Sequence, residues 1–234
     1  MHAKQPRLSW GACRGVVVLG AMLILLILPG NYPPRANASD APAPGGGGTM
    51  PVVVRVEEDW CLVLNEPSQE QTAPQFHTVM SPFGHADAAY AQVSWNYREL
   101  PDFEAGGLQL QAWGPDFELG FRDDRQDTLS TDAETVTWTQ ALETNGQYVR
   151  FTIQNGASQT WGSFGGPTTH IDIPLALASL QEYSPAVSQE NSWITFGTNR
   201  VTSLVITQVR RYGANGELWV NTTPVVVYQM EAGE

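Results

Sequence analysis

The stretch Leu108-Gln-Leu-Gln-Ala-Trp113 alternates apolar and polar side chains residue by residue. A period of two is the strand period, because successive side chains leave a β-strand on opposite faces. The alternation recurs. In 89–97, Ala91, Val93, Trp95 and Tyr97 oppose Tyr90, Gln92, Ser94 and Asn96; in 135–142, Val136, Trp138 and Leu142 oppose Thr135, Thr137 and Thr139. In 147–154, Val149, Phe151 and Ile153 oppose Tyr148, Arg150, Thr152 and Gln154. No stretch keeps a capped 3.6-residue period. The chain must therefore bury its apolar faces sheet against sheet.

Short runs broken by Gly, Asn and Pro predict strands at 59–65, 74–80, 89–97, 107–113, 117–122, 135–142, 147–154, 158–164, 170–173, 193–197, 201–212 and 217–228. Residues 51–58 offer one more edge strand. Asn145-Gly146, Asn155-Gly156 and Asn215-Gly216 predict tight hairpin turns, since both residues tolerate positive φ. The segment 113–117 (WGPDF) predicts another hairpin tip, and 217–228 the return arm of a long final hairpin. A short helix or irregular crossover is expected at 174–183, where Pro174 suits a first helical turn. About a dozen short strands without a fixed repeat predict an all-β, two-sheet antiparallel sandwich, of the concanavalin-like jelly-roll type.

Ahead of this domain, Lys4, Arg7 and Arg14 precede the apolar run Val16–Leu28, and Ala36-Asn37-Ala38 offers small residues for a signal peptidase. Residues 1–38 are expected to be a signal peptide, cut after Ala38 or retained as an anchor. Residues 39–50 read as a flexible Pro/Gly linker, and 51–234 as a single sandwich domain. Beyond Ala38 the chain holds eight arginines, no lysine and all 24 acids, a net charge of −16. That balance excludes nucleic acid and anionic lipid as natural partners and disfavours acidic polysaccharides. Cys61 is the only cysteine past Cys13, so an internal disulfide is excluded; between large apolar neighbours it reads as a buried core thiol.

The polar set on these strands is short of Lys, Glu and Asp, the ordinary solvating residues. It offers amides, hydroxyls and rings instead: Gln92, Asn96, Gln109, Gln111, Trp113, Tyr148, Arg150, Gln154, Gln159 and Trp161. Amides and hydroxyls exchange hydrogen bonds with sugar hydroxyls, and an aromatic face stacks on the C–H face of a pyranose. A neutral polysaccharide is the partner this chemistry fits. The same residues also suit a solvated sheet face that binds nothing.

Catalytic signals are sparse. Glycosidases place two carboxylates across the scissile bond, and the Glu-x-Asp-x-x-Glu strand pattern is absent; Glu118, Asp172 and Glu143 are the strand acids available. A lyase would need a base such as His77, whose fellow mature histidines are His85 and His170. No nucleophile elbow, phosphate loop, His-Glu-x-x-His or paired-Cys motif occurs. No cofactor is expected, with one exception to examine: Asp123, Asp124, Asp127 and Asp132 crowd residues 122–134 and suit calcium's oxygen preference, though without EF-hand spacing. Asn221-Thr222-Thr223 matches a glycosylation acceptor.

The segments VEEDWCLVLNEP (56–67) and AGGLQLQAWG (105–114) resemble exported bacterial all-β proteins whose mature domain begins on a Glu-Asp-Trp strand. The resemblance implies export and a β fold, and it supplies no catalytic residues. Together these readings predict an exported, non-catalytic binding module at the cell surface or in the periplasm, recognising a neutral glycan. The alternatives are a structural or assembly protein of the cell envelope docking onto an envelope partner, and a glycan-cleaving hydrolase or lyase. Membrane contact is expected only if the N-terminal segment stays uncut.

Overall fold

A computed structural model describes residues 52–66, 74–96, 98–99, 104–105, 107–123, 128–129 and 131–230. The expected signal peptide and linker lie outside the described residues. The chain runs β1 (Val53–Leu64), β2 (Gln75–Met80), β3 (Tyr90–Trp95), β4 (Arg98–Glu99), β5 (Glu104–Ala105), β6 (Leu108–Gly114), β7 (Phe117–Asp123) and β8 (Thr135–Thr144). It continues with β9 (Val149–Ser158), β10 (Gly162–Phe164), β11 (His170–Ile173), α1 (Pro185–Asn191), β12 (Trp193–Phe196), a 3₁₀ turn at Thr198–Arg200, β13 (Val201–Gly213), β14 (Leu218–Asn221) and β15 (Val225–Gln229).

These strands form an all-β, two-sheet antiparallel sandwich. The larger sheet has the order β10-β9-β8-β1-β13-β14, with β11 also on β9 and β15 also on β13; the smaller has the order β12-β2-β3-β6-β7. Strands β4 and β5 pair separately. The alternation read from sequence sets the inner faces: Ala91, Val93 and Trp95, then Leu108, Leu110 and Ala112, face Val136, Trp138 and Leu142, then Val149, Phe151 and Ile153, all fully or almost fully buried. Four rings carry the contact between sheets. Phe76 stacks on Trp95 at 5.6 Å in the smaller sheet, Trp60 stacks on Trp138 at 5.8 Å in the larger, and Trp95 meets Trp138 at 4.1 Å across the gap. Aromatic pairs at such distances add to the area they bury.

Turn chemistry follows the sequence at most tips. Asn145 Oδ1 accepts from the backbone N–H of Gln147 and Tyr148, and Gly146 takes φ 86°, closing the β8–β9 hairpin. Gly216, at φ 88°, does the same between β13 and β14, and Gly114 pairs with Phe117 at the β6–β7 tip. The final hairpin forms as two pieces, β14 on 209–212 and β15 on 203–206, on either side of Pro224.

Two local expectations are corrected, and one left open between two readings is resolved. Asn155-Gly156 makes no hairpin: Asn155 takes φ 55° inside the continuous β9, where the register to β8 shifts between Thr137 and Thr139, so the pair forms a bulge. Gly156 is required there by the Phe164 ring, which an added Cβ would meet at 2.3 Å. Of the two readings offered for 174–183, the irregular crossover is the one observed, anchoring Leu180 and Tyr183 in the core; the helix follows at Pro185–Asn191, capped by Ser184 Oγ. Cys61 is half-buried on the outer face of β1, out of phase with Trp60 and Leu62. Burial still pushes its thiol up, which leaves it protonated.

Candidate functional site

The ten residues singled out from sequence do not share one surface. Four of them meet on the outer face of the smaller sheet. Register places Gln92 opposite Gln111, Tyr90 opposite Trp113, and Ser94 opposite both His77 and Gln109. Trp193 on β12 lies opposite His77 and stacks on its ring at 4.6 Å. The face thus carries Trp193, His77, Val79, Ser94, Gln109, Gln92, Gln111, Tyr90 and Trp113, of which Val79, Ser94 and Gln92 are buried among their neighbours.

A hydrogen-bond relay ties the middle of this face together. Gln92 Nε2 donates to His77 Nδ1 (3.1 Å) and to Gln111 Oε1 (3.1 Å), and Ser94 Oγ donates to the same Nδ1 (2.9 Å). Since an amide nitrogen only donates, His77 Nδ1 accepts and its proton sits on Nε2. Burial pulls the imidazole down from 6.5 to about 4, so it is neutral at ordinary pH. The relay uses Gln111 Oε1 and leaves its amide N–H groups for other partners.

Beside Gln111 in register is Gly120, exposed, where an added Cβ would meet nothing within 4 Å. A glycine inside a strand leaves room for another molecule to approach the backbone. At the far end, Tyr90 and Trp113 form one wall of an open cleft of about 350 Å³, completed by residues that include Asp87, Ala88 and Pro115. Trp113 Nε1 is shielded from solvent and has no hydrogen-bond partner. An unpaired, buried donor carries a desolvation cost of about 1–3 kcal/mol.

The other six residues have different roles. Asn96, at φ 52°, is fully buried; its amide donates to the Pro74 carbonyl and accepts from Leu129 N–H, which fixes the strand end. Trp161 joins the core, edge-on to Phe164 at 5.4 Å, and Gln159 is exposed in the β9–β10 connection. Tyr148, Arg150 and Gln154 sit on the outer face of the larger sheet, inside a ladder of charge. There Arg55 binds Glu143, Glu57 and Gln154; Gln154 binds Glu57 at 3.1 Å; Arg210 binds Glu57 and Asp59. Arg150 grips Asp172 through two bonds of 2.7 and 2.9 Å and lies over the Tyr148 ring. These groups satisfy one another. The hydrogen bonds from Tyr212, Arg210 and Arg55 outweigh the burial that would raise Glu57 and hold it below its ordinary range.

The calcium expectation finds little to build on. Asp123 ends β7, Asp132 is exposed on a turn, and Asp124 and Asp127 lie outside the described residues. Among the described residues no three His, Cys, Asp or Glu side chains gather to hold a metal.

Sequence reasoning missed a second polar cluster, inside the sandwich. Glu58 is fully buried with inward phase on β1, opposite Gln140 of β8, which is also fully buried. Trp60 Nε1 (3.0 Å), Tyr183 Oη (2.7 Å) and Ser188 Oγ of α1 all donate to the Glu58 carboxylate. Gln140 Oε1 accepts from Thr78 Oγ1 and from Trp138 Nε1, and Thr78 Oγ1 accepts from Trp95 Nε1. Burial outweighs the three donors and pushes Glu58 up to about 7. The signal was present: Glu58 shares the phase of Val56, Trp60 and Leu62. With no solvent-exposed surface, the cluster holds the two sheets and α1 together.

No family model matches the chain, and no curated protein does. Among solved structures it is similar to a Scytalido-glutamic peptidase crystallised with a peptide-based transition state analog, at 13% identity over 74% of this chain and 82% of that chain, with a TM-score of 0.32. A likeness of that size says nothing about activity.

Proposed function

We propose that the protein is an exported binding module whose smaller sheet recognises a neutral glycan. The observation that carries this reading is the juxtaposition on one face of free amide donors at Gln111, the Tyr90–Trp113 wall of the cleft, and open space over Gly120. The net charge of −16 beyond Ala38 favours an uncharged ligand over a polyanion. Export rests on the basic-then-apolar N-terminus and places the module outside the cytoplasm. Tyr148, Arg150 and Gln154 take no part in this function, being engaged in the charge ladder of the other sheet. The test is a glycan array with the mature chain beside Trp113→Ala and Gln111→Ala. Both variants should lose signal while melting within a few degrees of the parent. An array with no neutral glycan above background ends the proposal.

A further inference from the structure

Trp193 and Trp113 stand at opposite corners of the same face. From β12 to β6 is three strand steps. From the Ser94 row, which holds His77 and Trp193, to the Tyr90 row, which holds Trp113, is four residues along β3. At ~4.8 Å between strands and ~3.4 Å per residue, the two indoles are roughly 20 Å apart. No single sugar ring spans that distance. The diagonal between them runs over His77, Gln92 and Gln111, the members of the relay. Trp193 has one face on His77 and is 45% exposed, so its other face is open to stack on a ligand. Between the two indoles the path holds no charged group among the described residues; Glu118 is opposite Trp113, and Asp87 lines the cleft itself.

We infer that the face binds the interior of a linear, uncharged polysaccharide chain, one sugar stacked at Trp193, another seated in the Tyr90–Trp113 cleft, and the units between them hydrogen-bonded by the free amide donors of Gln111. This rests on the reading of the face as a glycan platform and adds its length and its two ends. A pocket for a terminal sugar would need only the cleft. It would leave a half-exposed indole at the far corner without a role.

The experiment is calorimetry on the mature chain with ladders of neutral gluco-, manno- and xylo-oligosaccharides, from monosaccharide to hexasaccharide. Affinity should climb with length, the hexasaccharide of the preferred ladder binding about tenfold or more tighter than the disaccharide. Trp193→Ala should bring the hexasaccharide down to disaccharide affinity and leave the disaccharide unchanged, whereas Trp113→Ala should weaken both. Trp193→Phe should restore most of the length dependence, and circular dichroism confirms that each variant is folded. A ladder that binds equally at every length, or one unmoved by Trp193→Ala, overturns the extended platform and leaves the glycan reading standing. Ladders that do not bind at all, while uncharged extended peptides do, overturn both.

Discussion

The interior carboxyl of Glu58 makes a prediction whose sign and size both follow from its surroundings. It is fully buried, and no cation is among its hydrogen-bond partners; Trp60, Tyr183 and Ser188 are neutral donors, and its cross-strand neighbours are Gln140 and Val209. Arg211 lies over the ring of its partner Tyr183, at 5.4 Å. Burial moves the carboxyl from 4.5 to about 7. The folded state therefore keeps a proton that the unfolded chain gives up near 4.5. The resulting stabilisation is fully present below about pH 4.5 and is lost as pH rises through 7. At ~1.4 kcal/mol per pH unit over that window, the loss is about 3 kcal/mol. His77 works in the opposite direction: its neutral form is favoured by folding, so its contribution is present above 6.5 and lost as pH falls through about 4. The parent's own stability curve mixes the two, so a difference is needed. Glu58→Gln keeps the shape and cannot titrate. Urea unfolding of both proteins between about pH 4 and 8 should show the variant gaining about 3 kcal/mol on the parent across the window. Parallel curves, or a difference of opposite sign, would refute the claim that burial outweighs the three donors. If the variant does not fold, a carbon-detected NMR titration of the Glu58 carboxyl in the parent answers the same question.

Three further outcomes are expected. Gly120→Arg should fold normally, because a side chain there meets no neighbour, yet abolish glycan binding by covering Gln111; array signal and melting temperature measured together check it. Arg150→Ala should leave glycan binding unchanged and cost at most about 1 kcal/mol in chemical denaturation, since its pair with Asp172 is well exposed. Gly165→Ala should destabilise by more than about 1 kcal/mol, read from the shift in urea midpoint: φ is +76° and the new Cβ would approach the Ile153 carbonyl oxygen at 2.7 Å.

The fold was legible in the chain because strand phase is a local property. Leu108, Leu110 and Ala112 point inward for the same reason that Gln109 and Gln111 point outward, and no tertiary knowledge is needed to say so. Turn chemistry was legible where a tip is governed by its own φ, as at Gly146 and Gly216. It misled at Asn155-Gly156, where the positive φ serves a bulge and the glycine accommodates a ring from another strand. Phase says which side of its own sheet a residue faces; it does not say to which sheet the strand belongs. Gln111 and Gln154 carry the same chemistry in the same phase, but β6 and β9 are in different sheets, so one meets Gln92 and the open space at Gly120 and the other a salt-bridge ladder.

Glu58 exposes the converse limit. Its inward phase was as readable as that of Trp60, yet composition rules place glutamate on surfaces, and only the assembled sandwich brings Tyr183 and Ser188 from more than a hundred residues away to meet it. Stranding one polar group in an apolar core costs a few kcal/mol. Here the cost is spread over a set that is nearly complete: the indole N–H groups of Trp60, Trp95 and Trp138 are all paired to Glu58, Thr78 or Gln140. Three tryptophans packed between two sheets would otherwise bury three orphaned donors. The interior polar residues are thus the condition for an aromatic core of this kind. That same core fixes β2, β3 and β6 from beneath and so holds Gln92, Gln111 and Trp113 in register on the opposite face.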